Sequence, residues 1–378
     1  MKLAIVKETA TGEKRVAASP ESVKKLAGLG LSVSIEAGAG ASANLTDKAF
    51  SEAGAEIVAD RAAVLKDADI VFTVRGLAED DLSSVKTGAL MLGLIDPFQS
   101  GDRLAAYAKA GLSAVALELV PRITRAQSMD VLSSQSNLAG YRAVLDAAYH
   151  YGRAFPMMMT AAGTIAPARV MVLGAGVAGL QAIATARRLG AIVSATDVRL
   201  AAKEQVESLG AKFVMVEDEE AKQAETEGGY AKEMSDAYKT KQAALIAETL
   251  AKQDVAITTA LIPGKPAPEL ISEEMVRSMK PGSVIVDLAV EQGGNCALSK
   301  PDEVVDVDGV KIVGNTNMPS RVATDASMLL SKNLLAYITP LIDAENGALK
   351  LDPEDDVVKA SLVTQGGEIV HPQLQGAA

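Results

Sequence analysis

Cysteine, histidine and aromatic residues are scarce in this chain. It has one cysteine, Cys296, two histidines, His150 and His371, and no Trp among 378 residues. A single cysteine excludes an internal disulfide, fits a reducing cytoplasm, and is interpreted as a small buried thiol. No Cys/His cluster has metal-ligand spacing, so no metal is predicted, and both histidines are interpreted as structural or solvated. With 3% aromatic residues, Ala, Val and Leu must fill the core, as where helices pack closely on a parallel sheet.

Basic tracts and long apolar runs are also missing. The net charge is −11, and no basic tract is interleaved with aromatic residues, so a nucleic-acid partner is not expected. No stretch approaches the roughly 18 apolar residues of a membrane span. The apolar run at the N-terminus, LAIV, is too short for a signal peptide. The sequence therefore predicts a soluble cytoplasmic chain that would act at a membrane only through a partner.

Strand and helix patterns alternate along the chain. LAIV at 3–6 reads as a strand, and PESVKKLAGLG reads as a helix with Ser19 as its N-cap. TDKAFSEAG reads as a second helix, capped by Thr46. This alternation continues and predicts an α/β fold of two doubly wound, Rossmann-like parallel-sheet domains with a cofactor cleft between them. The length fits two domains, assigned to residues 1–136 with 320–378 and to residues 137–319.

Four further expectations follow from pattern. Residues 137–155 read as a long helix and residues 113–120 as a strand. The MMM run at 157–159 is expected to fill core between the domains. The tail after residue 351 reads as polar and turn-rich.

A glycine-rich turn lies in the second predicted domain. GAGVAG places Gly174, Gly176 and Gly179 after an apolar strand and at the start of a helix. The first glycine permits a tight turn, the second lets backbone approach a pyrophosphate, and the third allows close packing of helix and strand. The helix N-terminus then presents free amides to the phosphates. The segment predicts a dinucleotide site that includes Val177. A second match, GAGASA at 38–43, is followed too late by its helix to predict such a site.

The next strand ends in a carboxylate that selects the cofactor. Asp197 lies where a ribose-binding carboxylate is expected. A carboxylate accepts hydrogen bonds from both ribose hydroxyls but repels a 2′-phosphate, so NAD(H) is favoured over NADP(H). Nearby Arg199 either weakens this preference or lies in solvent.

Three other segments are candidates for the cofactor site. TTALIPG at 258–264, which contains Leu261, and LAVEQGG at 288–294 both follow strands on the side where such folds bind ligands. Residues 217–242 are charged and too long for a simple connection. They fit either a solvated insert or a lid that places Tyr230 over a bound nucleotide.

Residues 121–137, PRITRAQSMDVLSSQSN, crowd polar side chains at the end of a predicted strand. The segment contains Arg122, Gln127, Asp130, Ser133 and Gln135 but no His, Cys or Lys. Polar residues in such a place indicate an active site. Without a His, Cys or Lys, the segment leaves open which reaction is served by amides and one ion pair.

Several motifs together resemble one family. They are GEKRVAASPESVKKL, PRITRAQSMDVLSSQSNLAGYRAV, AFPMMMTAAGT, GAGVAGLQAIATARRLGA, TTALIPGKPAP, PGSVIVDLAVEQGGNC and EIVHP. The chain resembles the NAD(H)-binding component of proton-translocating nicotinamide nucleotide transhydrogenases over essentially its whole length. Alanine dehydrogenases are relatives of this family and share the two-domain fold.

The resemblance implies a function and a set of roles. This chain would hold NADH and pass a hydride directly to NADP⁺ on a partner subunit, while a membrane-spanning proton-channel component couples the reaction to proton movement. Arg122 would grip the nicotinamide carboxamide, Gln127 would reach toward the partner's nucleotide, and Ser133 would hold the ring. Asp130 would orient the arginine or a ribose hydroxyl, and Tyr230 matches the tyrosine of the family's mobile loop. The family's component is a homodimer, peripheral on the inner face of the cytoplasmic membrane through its partners.

Two alternatives remain open from the sequence. An alanine dehydrogenase would carry a substrate-binding arginine, present as Arg15, and a lysine and a histidine, which fall on Arg75 and near Gly93. Its aspartate before the double glycine is Glu291 here. Without the lysine and histidine, hydrolysis of an iminium lacks its proton carriers. The other alternative is a non-enzymatic NAD(H)-sensing module.

Overall fold

The chain folds into two compact units, each built around a mainly parallel β-sheet. The computed structural model describes residues 1–216, 235–262, 264–343 and 347–375. Unit 1 comprises Met1–Gln135 and Ser320–Ala378, and unit 2 comprises Ser136–Pro319. Along the chain, unit 2 is inserted into unit 1.

Unit 1 begins with alternating strands and helices. Its strands are β1 (Lys2–Ile5), β2 (Ser32–Glu36), β3 (Glu56–Val58), β4 (Ile70–Phe72), β5 (Leu90–Gly93) and β6 (Ser113–Ala116), and its helices are α1 (Pro20–Gly28), α2 (Asp47–Glu52), α3 (Arg61–Leu65) and α4 (Gly101–Lys109). The N-caps predicted for α1 and α2 are confirmed, since Ser19 accepts from the Ser22 N–H and Thr46 from the Ala49 N–H. Because α2 begins only after Thr46, the GAGASA segment opens no α-helix.

The strand predicted over 113–120 is too long. Strand β6 ends at Ala116, and Leu117–Leu119 form a 3₁₀ turn. The turn brings the Glu118 carboxylate to the backbone N–H groups of Ile95 and Asp96, at 2.8 and 2.6 Å. An apolar run does not distinguish a strand from a 3₁₀ turn. The predicted strand therefore extended past the true end of β6.

Helix α5 (Val131–His150) joins the two units. The prediction of a helix over 137–155 is therefore wrong at both ends. Asp130 caps the N-terminus, because its Oδ1 accepts from the Ser133 N–H at 2.8 Å. Ser133 and Gln135 lie in the first turns of the helix. Because polar residues of this kind are also typical of loops, the sequence pattern did not reveal the true start of the helix.

After helix α5, unit 2 forms a hairpin and continues as a doubly wound domain. Its strands are β7 (Met158–Thr160), β8 (Gly163–Ile165), β9 (Arg169–Leu173), β10 (Ile192–Thr196), β11 (Lys212–Phe213), β12 (Val255–Thr258), β13 (Val284–Asp287), β14 (Val304–Val307) and β15 (Val310–Val313), and its helices are α6 (Val177–Arg188), α7 (Ala202–Ser208), α8 (Asp236–Leu250) and α9 (Glu273–Ser278). The seven-stranded sheet has the order β11-β10-β9-β12-β13-β15-β14, with only β14 antiparallel among the described strands.

The three methionines at 157–159 do not fill a core, so that prediction is wrong. They lie at the start of the β7–β8 hairpin, and Met159 is 80% exposed. A two-stranded hairpin outside the main sheet offers no second layer to cover its side chains. Apolar composition alone could not reveal this position.

The last segment of the chain returns to unit 1. It forms α10 (Ala323–Ile338), β16 (Ile342–Asp343), β17 (Ala348–Leu349), α11 (Asp356–Ser361), β18 (Leu362–Gln365) and β19 (Glu368–Ile369). Strands β18 and β19 extend the first sheet to the order β19-β18-β6-β5-β4-β1-β2-β3. The tail is thus not only turns. Strands this short give too few alternations to be recognised by pattern.

Candidate functional site

The glycine turn between β9 and α6 has the geometry of a phosphate-binding loop. Gly174 has φ of +99°, and a Cβ there would lie 2.6 Å from Thr259 Oγ1. A Cβ on Gly179 would collide with the Gly174 carbonyl oxygen. Around Gly176, by contrast, no heavy atom lies within 4 Å of a Cβ position. The open space is therefore at the middle glycine, beside the N-terminus of α6, where free amides favour an anion.

Asp197 ties the end of β10 to this turn. It is 8% exposed, and its Oδ2 accepts from the Ala175 N–H at 2.8 Å. Its Oδ1 accepts from the Arg199 N–H and Nε, both at 2.9 Å, and Arg199 Nη2 donates to Oδ2 at 2.8 Å. The alternative that Arg199 simply lies in solvent is therefore wrong.

Helix α5 packs tightly on the first turn of α6 within unit 2. A Cβ on Gly140 would collide with the carbonyl group of Ala178. The Asn137 amide lies 3.4 Å from the Gln181 side chain. These contacts fix the start of α6, and with it the direction of the free amides near Val177.

A buried carboxylate that the sequence analysis missed organises the neighbouring strand ends. Asp287, at the end of β13, is fully buried. Its two oxygens accept five hydrogen bonds, from Thr258 Oγ1, Ser299 Oγ and the N–H groups of Ala289, Asn295 and Cys296. The Asn295 side chain in turn accepts from the Ala260 N–H at 3.0 Å and donates to the Ala260 carbonyl at 2.9 Å. An aspartate ending an apolar strand and followed by QGGN was the available signal.

This network places the TTALIPG segment beside the glycine turn. Thr259 Oγ1 donates to the Gly174 carbonyl oxygen at 3.0 Å. Leu261 follows in the same segment and is 43% exposed. The loops after β9, β10 and β12 therefore converge at one edge of the sheet, as expected for the carboxyl ends of parallel strands.

In unit 1, residues 121–135 form a firmly anchored segment with exposed polar side chains. Thr124–Met129 form a 3₁₀ helix whose Ala126 and Met129 are buried. The Arg125 guanidinium forms a two-bond ion pair with Asp355, at 3.0 and 2.9 Å. Arg122 and Gln127 are exposed. The anchors hold the backbone, so the exposed side chains start from a fixed position.

Asp130 and Ser133 are brought together. Besides the backbone bond, Ser133 Oγ donates to Asp130 Oδ2 at 2.6 Å. Both residues are half-buried. The structure thus gives Asp130 a helix-capping role, and its predicted contact with the arginine or a ribose hydroxyl stays a prediction.

A buried ion pair lies next to this segment within unit 1. Arg15 is 3% exposed, and its Nη2 lies 2.7 Å from Glu13 Oε2. Arg15 Nη1 donates to Gln135 Oε1 at 2.8 Å, and Arg75 Nε donates to Glu13 Oε2 at 3.2 Å. The Gln135 amide also donates to the Ala326 carbonyl at 3.1 Å. Glu13 thus supplies the carboxylate that Arg15 binds.

Two further carboxyl groups at this edge of the unit 1 sheet titrate near neutrality. Burial raises the pKa of Glu8 to about 7, against the hydrogen bonds that its carboxylate accepts from the Val74 and Arg75 N–H groups. Burial also raises the pKa of Glu118 to about 7. Glu118 Oε2 is buried without a hydrogen-bond partner among the described residues. Neither residue was predicted to belong to a site.

The structure also bears on the predictions made for the cysteine, the histidines and a metal site. Cys296 is buried as predicted, and burial raises the pKa of its thiol to about 11. His371 is 8% exposed, and burial lowers its pKa. Within the stretches of the chain that the structure describes, no group of three or more His, Cys, Asp or Glu side chains could hold a metal ion. Tyr230 lies outside the described residues, so the lid stays a prediction.

Two family models match almost the whole chain. Residues 4–139 match "Alanine dehydrogenase/PNT, N-terminal domain", and residues 143–372 match "Alanine dehydrogenase/PNT, C-terminal domain". The chain belongs to the alanine dehydrogenase/PNT family. The resemblance seen in the sequence and the α/β fold of Rossmann-like, parallel-sheet domains are thereby confirmed.

The transhydrogenase relatives are more similar to this member of the family than the alanine dehydrogenases are. An NAD(P) transhydrogenase alpha-subunit protein of Rhodospirillum rubrum is 58% identical over 381 residues, covering 100% of this chain and 99% of the relative. The crystal structure of transhydrogenase from Sinorhizobium meliloti is 53% identical, with a TM-score of 0.90, and covers 98% of this chain and 100% of that one. An L-alanine dehydrogenase structure is 28% identical, with a TM-score of 0.83 and coverage of 99% and 98%.

Proposed function

We propose that this chain is the NAD(H)-binding subunit of a proton-translocating, Re/Si-specific NAD(P)⁺ transhydrogenase. It holds NADH for direct hydride transfer to NADP⁺ on a partner subunit. The observation that carries the proposal is the open glycine turn beside Asp197, in a chain whose full-length relatives are named for the alpha subunit of NAD(P) transhydrogenase.

Residues 137–319, which lie in unit 2, form the proposed NAD(H)-binding domain. The free amides at the N-terminus of α6, near Gly176 and Val177, bind the pyrophosphate. Asp197 accepts from the adenosine ribose hydroxyls, which favours NAD(H) over NADP(H). Leu261, exposed next to the Thr259–Gly174 hydrogen bond, covers the nucleotide. Tyr230 lies outside the described residues, and its place over the nucleotide stays a prediction. A cofactor cleft between this domain and residues 1–136 with 320–378 stays a prediction.

The residues of 121–133 act as positioning groups. NADH, when bound, supplies a hydride, and hydride transfer between two nicotinamide rings moves no proton at the reacting carbons. The site therefore needs fixed hydrogen-bonding groups and the exclusion of water. Arg122 and Gln127 are exposed on an anchored backbone, which suits contacts to the carboxamide and to the partner's nucleotide. Asp130 and Ser133 hold each other at the helix start.

The partners are a second copy of this chain, an NADP(H)-binding component and a membrane-spanning proton-channel component. Two exposed apolar features of unit 2 support the homodimer. The β7–β8 hairpin carries Met157–Met159, and the face of α5 shows Tyr141 and Tyr149, the latter 83% exposed. Among the described helices, none has the length and apolar character needed to cross a bilayer. In the proposed complex, the partner subunits hold this chain at the cytoplasmic face of the membrane.

The environment of Arg15 argues against the alanine dehydrogenase alternative. An arginine that binds a substrate carboxylate offers its N–H donors to it, whereas Glu13 and Gln135 already take one N–H each of Nε, Nη1 and Nη2, three of the five donors of Arg15. A guanidinium at Arg75 stays protonated and cannot relay a proton as a lysine could. No observation specifically favours the NAD(H)-sensing module.

A two-stage experiment tests the proposal. NADH is first titrated into the purified chain by fluorescence, and the NADP(H)-binding component is then added with an NADP⁺ analogue of distinct absorbance. We expect NADH binding by the chain alone and hydride transfer only in the mixture. Binding without transfer would leave the sensing module as the better account, and no NADH binding would reject all three functions.

A further inference from the structure

The carboxylate of Asp197 has no acceptor position left for a ligand. Oδ1 receives the Arg199 N–H and Nε, and Oδ2 receives the Ala175 N–H and Arg199 Nη2, all four at 2.8–2.9 Å. An ionised carboxylate offers about four lone-pair sites. A ribose hydroxyl can therefore donate to Asp197 only if one of these donors leaves.

The four donors differ in freedom. Two are backbone N–H groups, and that of Ala175 belongs to the glycine turn, whose Ala175 side chain is buried. The other two belong to the Arg199 guanidinium, whose side chain is 18% exposed. Backbone donors cannot leave without rebuilding the turn, whereas an arginine side chain moves by rotamer changes. The guanidinium is therefore the donor that gives way.

We propose that Arg199 is a specificity-determining residue that competes with the adenosine ribose for Asp197. This inference rests on the proposed NAD(H) site. Two hydrogen bonds between oppositely charged groups must be exchanged for hydroxyl bonds in which only the carboxylate is charged, so the ion pair is lost. Arg199 therefore lowers the affinity for NADH.

The same ion pair reduces discrimination against a 2′-phosphate. In the pair, the positive charge of the Arg199 guanidinium balances the negative charge of the Asp197 carboxylate. An arginine at this place in the fold can also accommodate a 2′-phosphate. Without the guanidinium, a bare carboxylate faces the 2′ position. Removing Arg199 should therefore tighten the binding of NADH and weaken the binding of NADPH. These are two changes of opposite sign at one site.

The experiment compares Arg199→Ala, Arg199→Lys and the control Arg188→Ala in the full chain. Arg188 is exposed at the end of α6, so its replacement changes net charge by the same amount away from Asp197. NADH and NADPH dissociation constants are measured by fluorescence titration. For Arg199→Ala we expect NADH binding about tenfold tighter and NADPH binding weaker than in the parent. Arg199→Lys should fall between, because an ammonium keeps the charge without the two-pronged geometry. Arg188→Ala should match the parent.

The outcomes separate the two proposals. Weaker NADH binding by Arg199→Ala would mean that the guanidinium contacts the cofactor, and unchanged binding would mean no competition, so either overturns the inference while the proposed function stands. If neither the parent nor Arg199→Ala binds NADH, the proposed function fails and the inference with it.

Discussion

The guanidinium of Arg15 and the carboxylate of Glu13 form a buried pair only two residues apart in sequence. Arg15 Nε and Nη2 donate to Glu13 Oε1 and Oε2 at 2.8 and 2.7 Å. The Glu13 side chain is fully buried. Arg15 Nη1 continues to Gln135 in the first turns of α5. One buried arginine thus connects the loop after β1 to the helix that follows the candidate segment.

Removing Arg15 should destabilise the protein strongly. Arg15→Ala leaves the Glu13 carboxylate buried with fewer partners, and breaking a buried pair costs about 3–5 kcal/mol. The control is Arg125→Ala, which removes a partially exposed pair with Asp355 and should cost about 1 kcal/mol or less. Urea unfolding of both variants measures the difference. Equal losses in the two variants would show that the Arg15 network contributes little.

The same pair predicts that the chain does not oxidise alanine. Glu13 and Gln135 take three of the five N–H donors of Arg15. Arg75 and Gly93 stand where proton carriers would be required. The purified chain with alanine and NAD⁺ should produce no NADH in a steady-state absorbance assay, and neither should Glu13→Gln, which partly frees Arg15. Sustained turnover by the parent would contradict this. Turnover by Glu13→Gln alone would show that Glu13, and not the missing acid–base residues, blocks the reaction.

Local patterns with a strong stereochemical cause were predictable from the sequence. Ser19 and Thr46 were identified as N-caps because a hydroxyl before an apolar-periodic segment satisfies free amides. The glycine turn was identified because only glycine tolerates the contacts at Gly174 and Gly179. Each of these depends on residues close in sequence.

Features that depend on distant residues were not predictable. The occupation of Arg15 requires Gln135, which is remote in sequence, and the five bonds to Asp287 converge from three separate segments. The exposure of Met159 depends on what its hairpin packs against, and composition does not contain that information. The tail strands β18 and β19 form because β6 presents a free edge.

Glu8 should make the stability pH-dependent. Its ordinary pKa is 4.5, and burial raises the folded-state value to about 7. Between these values the folded protein retains a proton that the unfolded chain has lost, so the contribution of Glu8 is present below pH 4.5 and is lost as the pH rises through 7. Glu8→Gln cannot ionise, so relative to the parent it should gain about 2 kcal/mol between pH 5 and pH 8.

The control for Glu8→Gln is Glu52→Gln, on the exposed surface of α2. Urea unfolding at pH 5 and pH 8 gives the free energy of unfolding for each protein. Only Glu8→Gln should flatten the pH profile. A parallel profile for Glu8→Gln and the parent would mean that Glu8 titrates alike in the folded and unfolded states.

The glycine turn should separate binding from stability. At Gly176 the backbone has φ of −77° and a Cβ would meet no heavy atom within 4 Å, so Gly176→Ala should fold normally. Its methyl group enters the space proposed for the pyrophosphate, which should weaken NADH binding about 10- to 100-fold. Gly179→Ala instead collides with the Gly174 carbonyl and should lose about 1–3 kcal/mol of stability.

Gly152→Ala serves as the control for this pair, because a Cβ there also meets open space but lies outside the turn. NADH titration and urea unfolding are measured for all three variants. Gly152→Ala should match the parent in both. Normal NADH affinity in a folded Gly176→Ala would place the pyrophosphate elsewhere and reject the proposed site.

Gln127 should affect hydride transfer more than NADH capture. Its side chain is exposed on a 3₁₀ helix held by Ala126, Met129 and the Arg125–Asp355 pair, so its reach is set by its own length. Gln127→Asn shortens that reach by one methylene without changing charge. A misplacement of roughly 1 Å can cost about a hundredfold in rate. Affinity comes mainly from the glycine turn and Asp197, so NADH binding should change less than about fivefold, under 1 kcal/mol.

The measurement is single-turnover transfer to an NADP⁺ analogue on a saturating partner subunit, beside the NADH dissociation constant of the chain. Ser128→Ala, exposed on the same 3₁₀ helix, controls for local disturbance and should transfer at the parent rate. Arg122→Ala should slow transfer and also weaken NADH binding, since a carboxamide contact exists before the partner binds. If Gln127→Asn transfers at the parent rate, or loses binding in proportion to transfer, then the side chain does not position the reacting rings.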